Sequence, residues 1–203
     1  MHPYVIIDNG HGAETPGKQS PDGTYKEWEW TRRFARLLAH KLSEAGIEAT
    51  LLVPENSDVS LSERCSRANS IYRHHPDAVL ISLHTNAVGD GSEWHGARGW
   101  SAHVARNASA KSRRLASILG EKMEAAQMTG NRWKSPQGYL ECNFYICRAT
   151  PCPAVLTENF FHDNRKDLAF FSQVENEEKL LKLYVEAIEE YFKGEESLAC
   201  VAV

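Results

Sequence analysis

Three stretches carry residue types that could do chemistry, and each follows an apolar run. Val5-Ile6-Ile7-Asp8-Asn9-Gly10-His11-Gly12 stops at an imidazole flanked by two glycines. Ala78-Val79-Leu80-Ile81-Ser82-Leu83-His84-Thr85-Asn86 stops at a second imidazole, and Ala154-Val155-Leu156-Thr157-Glu158-Asn159 at a carboxylate. Such β-branched runs are expected of strands covered on both faces. In a parallel sheet their ends lie along one edge, where α/β sheets bind ligands. A lone loop histidine is more often a surface or satisfied residue than a ligand, so the argument rests on the convergence. Two imidazoles and a carboxylate at one edge suit Zn²⁺, which in catalytic sites takes three protein ligands and leaves a position for water. The ion makes water more acidic and polarises a carbonyl. Glu158, beside the metal, is placed to take a proton from that water and return it to a leaving amine. These parts describe hydrolysis of an amide, although no short His-Glu-x-x-His motif occurs.

The elements that must position these groups follow from periodicity. Residues 4–8 are expected as the first strand and 13–26 as an exposed loop rich in Gly, Pro, Ser and Asp. Trp30, Phe34, Leu37, Leu38 and Leu42 fall at helical spacing, which predicts a helix over 26–44 that stops at Gly46. Two glutamates open it. Glu27 lies three residues before Trp30 and faces inward, whereas Glu29 shares a face with Arg33, Arg36 and His40 and faces water. A carboxylate in a first turn also stabilises a helix by itself. Residues 49–53 form the second strand, and Ser60-Leu61-Ser62-Glu63 fits a capping box for a helix ending near His74 and His75. Strands follow at 78–83, 99–104, 143–147 and 154–157. Helices are expected at 110–126, after Asp163, and at 175–192, with a Gly-rich loop at 85–97, an irregular stretch at 128–141 and a loose tail after Lys193. Alternating strands and helices predict one α/β domain over residues 1–203, a three-layer arrangement with a mostly parallel twisted sheet of about six strands and helices on both faces.

Composition narrows the class. The net charge is −4 with no basic stripe, which argues against nucleic acid as partner. The acids between Glu175 and Glu196 are expected to form a solvated helix face. No apolar run approaches the ~20 residues of a membrane span, and the chain given has no signal peptide. The five cysteines, Cys65, Cys142, Cys147, Cys152 and Cys200, lack zinc spacing and are expected to be free thiols.

These motifs, in this order, resemble the zinc-dependent N-acetylmuramoyl-L-alanine amidases, the type 3 amidase family of peptidoglycan hydrolases. The family's opening Asp-Pro-Gly-His-Gly is similar to Asp8-Asn9-Gly10-His11-Gly12, with Asn in the proline's place. Its metal glutamate stands nineteen residues before the glycine ending the first helix, which from Gly46 gives Glu27. Its Leu-x-x-Arg-x-x-x-Ala-Asn resembles the stretch Leu61 to Asn69. Its Ser-Ile-His-x-Asn resembles Ser82 to Asn86, and its Leu-Arg…Pro-Ala-Val-Leu-x-Glu resembles Cys147-Arg148…Pro153 to Glu158. The likeness covers about residues 4–190; Asn159-Phe160-Phe161 departs from it.

The resemblance implies His11, Glu27 and His84 as ligands of Zn²⁺ and Glu158 as the catalytic glutamate. It implies cleavage between N-acetylmuramic acid and the L-alanine of the stem peptide, with peptidoglycan as partner, at the cell wall or periplasm. Arg148 and Asn86 are candidates for substrate binding; a surface ion pair is an equal account of Arg148. Trp94, Trp100 and Trp133 offer faces for sugar rings, with ordinary packing the alternative. The chain is expected to act as a monomer, either as a phage-type lysin or as an exported enzyme without its leader. Residues 85–97 are too short and Gly-rich for the blocking helix of divisome-controlled relatives, so activity without an activator is expected. A zinc peptidase or deacylase on another amide, or a non-catalytic wall-binding module, are the competing readings.

Overall fold

The computed structural model describes residues 2–131 and 135–201, with side chains to Ser197. Its strands are β1 (Tyr4–Asn9), β2 (Glu48–Leu51), β3 (Val79–Asn86), β4 (Ser101–Ala105), β5 (Leu140–Cys142) and β6 (Ala154–Phe161). Its helices are α1 (Glu27–Glu44), α2 (Leu61–His74), α3 (Ala110–Ala125), α4 (Tyr145–Arg148), α5 (Arg165–Phe171) and α6 (Val174–Val201). The sheet order is β2-β1-β3-β6-β4-β5. The first four strands in that order run parallel, while β4 runs antiparallel to β6 and parallel to β5. The mostly parallel six-stranded α/β sheet matches the expectation.

Alternation along the strands divides the core into two layers. Val5, Ile7, Val79, Ile81, Leu83 and Val155 pack with α1, α3 and α6, burying Phe34, Leu38, Leu119 and Tyr184. Tyr4, Ile6, Leu80, Ala154 and Leu156 pack on the other face with Cys65 and Ala68 of α2 and Ile146 of α4. Burying a side chain such as Phe34, which has no accessible surface, stabilises by roughly 1.5–3 kcal/mol. The same parity has a consequence for function. His84 is two residues beyond Ser82, and Glu158 two beyond Leu156, so both face the α2 and α4 side. They are also direct partners in the β3–β6 register.

The strands run further than expected, so His84 and Glu158 lie inside β3 and β6 rather than at their ends. Between His84↔Glu158 and Asn86↔Phe161 the register gains one residue on β6. This is a β-bulge, and Phe160 takes φ +69 there. Such a backbone costs on the order of 1–3 kcal/mol in a bulky residue. Packing of its ring on Phe170 and Phe171, at centroid distances of 5.2 and 5.0 Å, opposes that cost.

Four expectations are corrected. Residues 143–147 are not a strand: β5 ends at Cys142, and Tyr145–Arg148 turn into the short helix α4. Burial of Ile146 and Cys147 under the sheet overrides their β propensity. The chain after Lys193 is not loose, because α6 continues to Val201 and Glu195 is buried between Arg114 (2.7 Å) and Lys111 (2.9 Å). The acids of α6 are accordingly not all solvated; Glu177 also pairs with Arg33 of α1. Trp100 is 2% exposed and donates its indole N–H to Asn159 Oδ1, so it packs rather than offering a sugar face. Trp133 and the side chain of Cys200 lie outside the described residues. Among the described residues, no helix is long and apolar enough to cross a membrane.

Arg64 ties α2 to the end of β1. Its buried guanidinium donates to Asp8 Oδ1 and to the Asn9 carbonyl, each at 2.7 Å. Removing one partner of such a pair costs about 3–5 kcal/mol because the other charge is stranded. Arg64→Met should therefore lower Tm by on the order of 10 °C in a thermal melt. Adding Asp8→Asn should recover part of the loss. A Tm for Arg64→Met within about 2 °C of wild type would contradict this role.

Candidate metal centre

The His11 loop is shaped by what surrounds it. Gly10 lies so close to the His84 ring that a Cβ there would sit 2.3 Å from Cε1, and a Cβ on Gly12 would sit 2.1 Å from the Asp58 nitrogen. No larger residue fits at either position without displacing a neighbour. His11 itself takes φ +57, an uncommon conformation for a side-chain-bearing residue. The carbonyls around it are held by two buried arginines. Arg32 donates to Gly10 O (3.0 Å) and His11 O (2.7 Å), and Arg64 donates to His11 O (3.1 Å). Thr31 Oγ1 adds a bond to Gly10 O at 3.0 Å.

Glu27 enters from the first turn of α1. Its N–H donates to Lys18 O at 2.9 Å, which closes the 13–26 loop ahead of the helix. The helical phase is as expected: Glu27 has no accessible surface, while Glu29 is exposed beside Lys26 at 3.7 Å. Glu27 Oε1 accepts from the Thr85 N–H at 2.9 Å and meets His84 Nδ1 at 3.2 Å. Its Oε2 lies 3.6 Å from His11 Nε2 and has no hydrogen-bond partner among the described residues. The imidazoles of His11 and His84 meet edge to face with centroids 5.0 Å apart. The ligand atoms of His11, Glu27 and His84 all lie within 4.8 Å of one another.

Electrostatics suit a cation. Burial alone would raise the Glu27 pKa, but the hydrogen bond from His84 and the charges of the imidazoles outweigh it and hold the carboxyl at about 2. Burial lowers His11 to about 4, so its ring is neutral at pH 7. His84 is raised, because the bond and charge of Glu27 exceed the effect of its burial. An ionised, buried carboxylate with one idle oxygen between two ring nitrogens is a donor set that fits a divalent metal of imidazole and carboxylate preference. The idle oxygen is what such an ion would satisfy.

His11, His84 and Glu158 line one cavity of about 410 Å³, with Asp8, Arg64 and Ile146 at its back and Lys18, Asp58 and Tyr145 around it. No residue of the 87–100 loop lines this cavity. That loop is drawn to the opposite side, where Asp163 Oδ2 accepts from Val88 N (2.6 Å) and His95 N donates to Asp163 O (2.7 Å). The N-terminus of α5 is capped by Asn164. Arg148 lies on α4 with its guanidinium 4.7 Å from the Tyr145 ring centroid. Asn86 turns its carboxamide oxygen back onto the Ala87 N–H at 2.9 Å.

Several residues of the site escape a sequence reading. Arg32 gives no pattern signal, since it falls beside the apolar stripe of α1 rather than on it. Arg64 does give one, standing next to Cys65 and one turn before Ala68 on the buried face of α2. Asn159 supports His84 by donating from Nδ2 to its carbonyl at 2.9 Å, and its Oδ1 accepts from Tyr184 OH at 2.7 Å. The thiols do not compete for the chemistry: burial pushes Cys147 up to about 12 and Cys152 up to about 11, so both stay protonated.

Comparison with known proteins gives one family. Residues 5–190 match the family described as N-acetylmuramoyl-L-alanine amidase. The chain is 29% identical over 165 residues to the N-acetylmuramoyl-L-alanine amidase CwlM of Bacillus licheniformis, a match that covers 80% of this chain and 58% of that protein. It is 25% identical over 191 residues to the uncharacterized protein YqiI of Bacillus subtilis, covering 93% and 84%. The crystal structure of N-acetylmuramoyl-L-alanine amidase from Clostridium difficile 630 superposes with a TM-score of 0.80 at 24% identity, covering 94% of this chain and 97% of that one. The catalytic domain of CwlV from Bacillus (Paenibacillus) polymyxa gives 0.77 at 22% identity, covering 94% and 98%. At such identities the two structures speak for the fold, and the match over residues 5–190 is what places this chain in the N-acetylmuramoyl-L-alanine amidase family.

Proposed function

We propose that this chain is a zinc-dependent N-acetylmuramoyl-L-alanine amidase, which hydrolyses the amide between N-acetylmuramic acid and the L-alanine of peptidoglycan stem peptides at the cell wall. The observation that carries this reading is the buried Glu27 carboxylate between His11 and His84, two imidazoles that line one cavity together with Glu158. His11, Glu27 and His84 would hold the metal. Bound zinc would act as a Lewis acid on the scissile carbonyl and make water more acidic. The work of the chain is to place proton carriers and substrate around that point. Glu158, the register partner of His84 on the same sheet face, accepts a proton from the attacking water and delivers it to the departing L-alanine nitrogen. The pairing of β6 with β3 keeps its carboxylate beside His84 through both transfers. Arg148, stacked on Tyr145 at the cavity edge, offers a guanidinium to a stem-peptide carboxylate. No residue of the 87–100 loop lines the cavity, so on this reading no activating partner is required.

Two outcomes test the reading. Mass spectrometry of digested muropeptides should show free stem peptides starting at L-alanine. Zinc-loaded Glu158→Gln should keep its metal and lose about 10²–10⁴ in rate. Release of other products, or activity of Glu158→Gln within a few-fold of wild type, would contradict it. Zinc binding should also depend on pH with a definite sign. Metal uptake displaces the proton that Glu27 stabilises on His84, whereas His11 is already neutral. Acid therefore favours the metal-free protein, and between pH 8 and pH 6 the zinc Kd should rise, with about one proton released per ion at the acid end. A Kd constant over that range would overturn the assignment of His84 as a ligand.

A further inference from the structure

A fully buried histidine stands behind Glu27. His162 follows the bulge of β6 and has no accessible surface. Its Nδ1 is 3.0 Å from Thr85 Oγ1, and its main-chain N–H donates to Asn86 O at 2.9 Å. Tyr25 OH donates to the same Thr85 hydroxyl at 3.3 Å. The Tyr25 ring is fixed between His162 (centroids 6.0 Å apart) and Phe171 (5.7 Å). Thr85 is the residue opposite the bulge, where the ladder between His84 and Asn86 shifts register. Its N–H is directed to Glu27 Oε1 at 2.9 Å.

From this arrangement we propose that His162, with Tyr25, is a positioning residue for the Glu27 carboxylate, acting through Thr85. The inference rests on the metal reading of Glu27 given above. Two bonds on one hydroxyl hold Thr85 from the side, and the main-chain N–H of that same residue holds Oε1. The carboxylate is then aimed before any ligand arrives. A packing role explains the residue poorly. His162 Nε2 is buried with no hydrogen-bond partner among the described residues, a desolvation cost that a leucine of similar volume would not carry. Groups that orient a metal ligand from behind typically change metal affinity 10–100-fold when removed.

The test is zinc affinity by chelator competition on the full chain, with thermal melts of the zinc-free protein in parallel. His162→Leu should weaken zinc binding about 10–100-fold while the zinc-free Tm is unchanged or higher. His162→Asn, which keeps a polar atom near the place of Nδ1, should return affinity to within a few-fold of wild type. Thr85→Val removes the hydroxyl with little change in shape and gives an independent variant should His162→Leu fold poorly. It should show the same loss, and the double variant should lose no more than either single one. Wild-type affinity in both His162→Leu and Thr85→Val would overturn this inference and leave the metal reading intact. Wild-type protein that takes up no zinc would overturn both.

Discussion

Everything at this site answers to one constraint: Glu27 is an ionised carboxylate with no accessible surface. An isolated buried charge costs several kcal/mol, so its surroundings must return that energy as directed bonds. Here they do so asymmetrically. Oε1 is saturated by the Thr85 N–H and the His84 ring, while Oε2 is left facing His11 at 3.6 Å. A site that satisfies one oxygen and withholds partners from the other is preorganised for a cation. The rest of the fold can be understood as the means of holding this carboxylate and the two imidazoles in place.

The holding is done largely by main chain and by arginine. Carbonyls at the end of β1 turn outward where the strand stops, and Arg32 and Arg64 gather them from α1 and α2. A planar guanidinium with several donors suits this task better than a lysine would. The same bonds connect α1 and α2, on opposite faces of the sheet, to the His11 loop. Stability and site geometry are thereby coupled: loosening either helix loosens the imidazole. On the other side, the parallel pairing of β3 with β6 sets His84 against Glu158, and the bulge just beyond lets β6 leave the ladder toward Asp163, which holds the 87–100 loop away from the cavity.

Much of this was legible in the sequence, for physical reasons. Strand runs and the 3.6-residue stripe of α1 are local signals, and they were enough to turn Glu27 inward and Glu29 outward. Strand parity was likewise available for His84 and Glu158. What was not legible depends on contacts distant in sequence. Aromatic and β-branched residues at Phe144 to Ile146 favour a strand in isolation, and only burial against β6 and α2 makes them a helix. The continuation of α6 past Lys193 depends on Arg114 and Lys111 of α3. Phe160 at positive φ and the Tyr25–Thr85–His162 cluster have no short-range signature, because their partners lie tens of residues apart.

The central claim is that His11, Glu27 and His84 form one metal centre in the cavity that Glu158 shares. Anomalous diffraction at the zinc absorption edge, on crystals of this chain grown with zinc, tests it most directly. One strong peak bounded by those three side chains is expected. Absence of a peak there, or a peak instead at the other imidazole with a soft neighbour, His103 beside Cys142 at 3.3 Å, would contradict it.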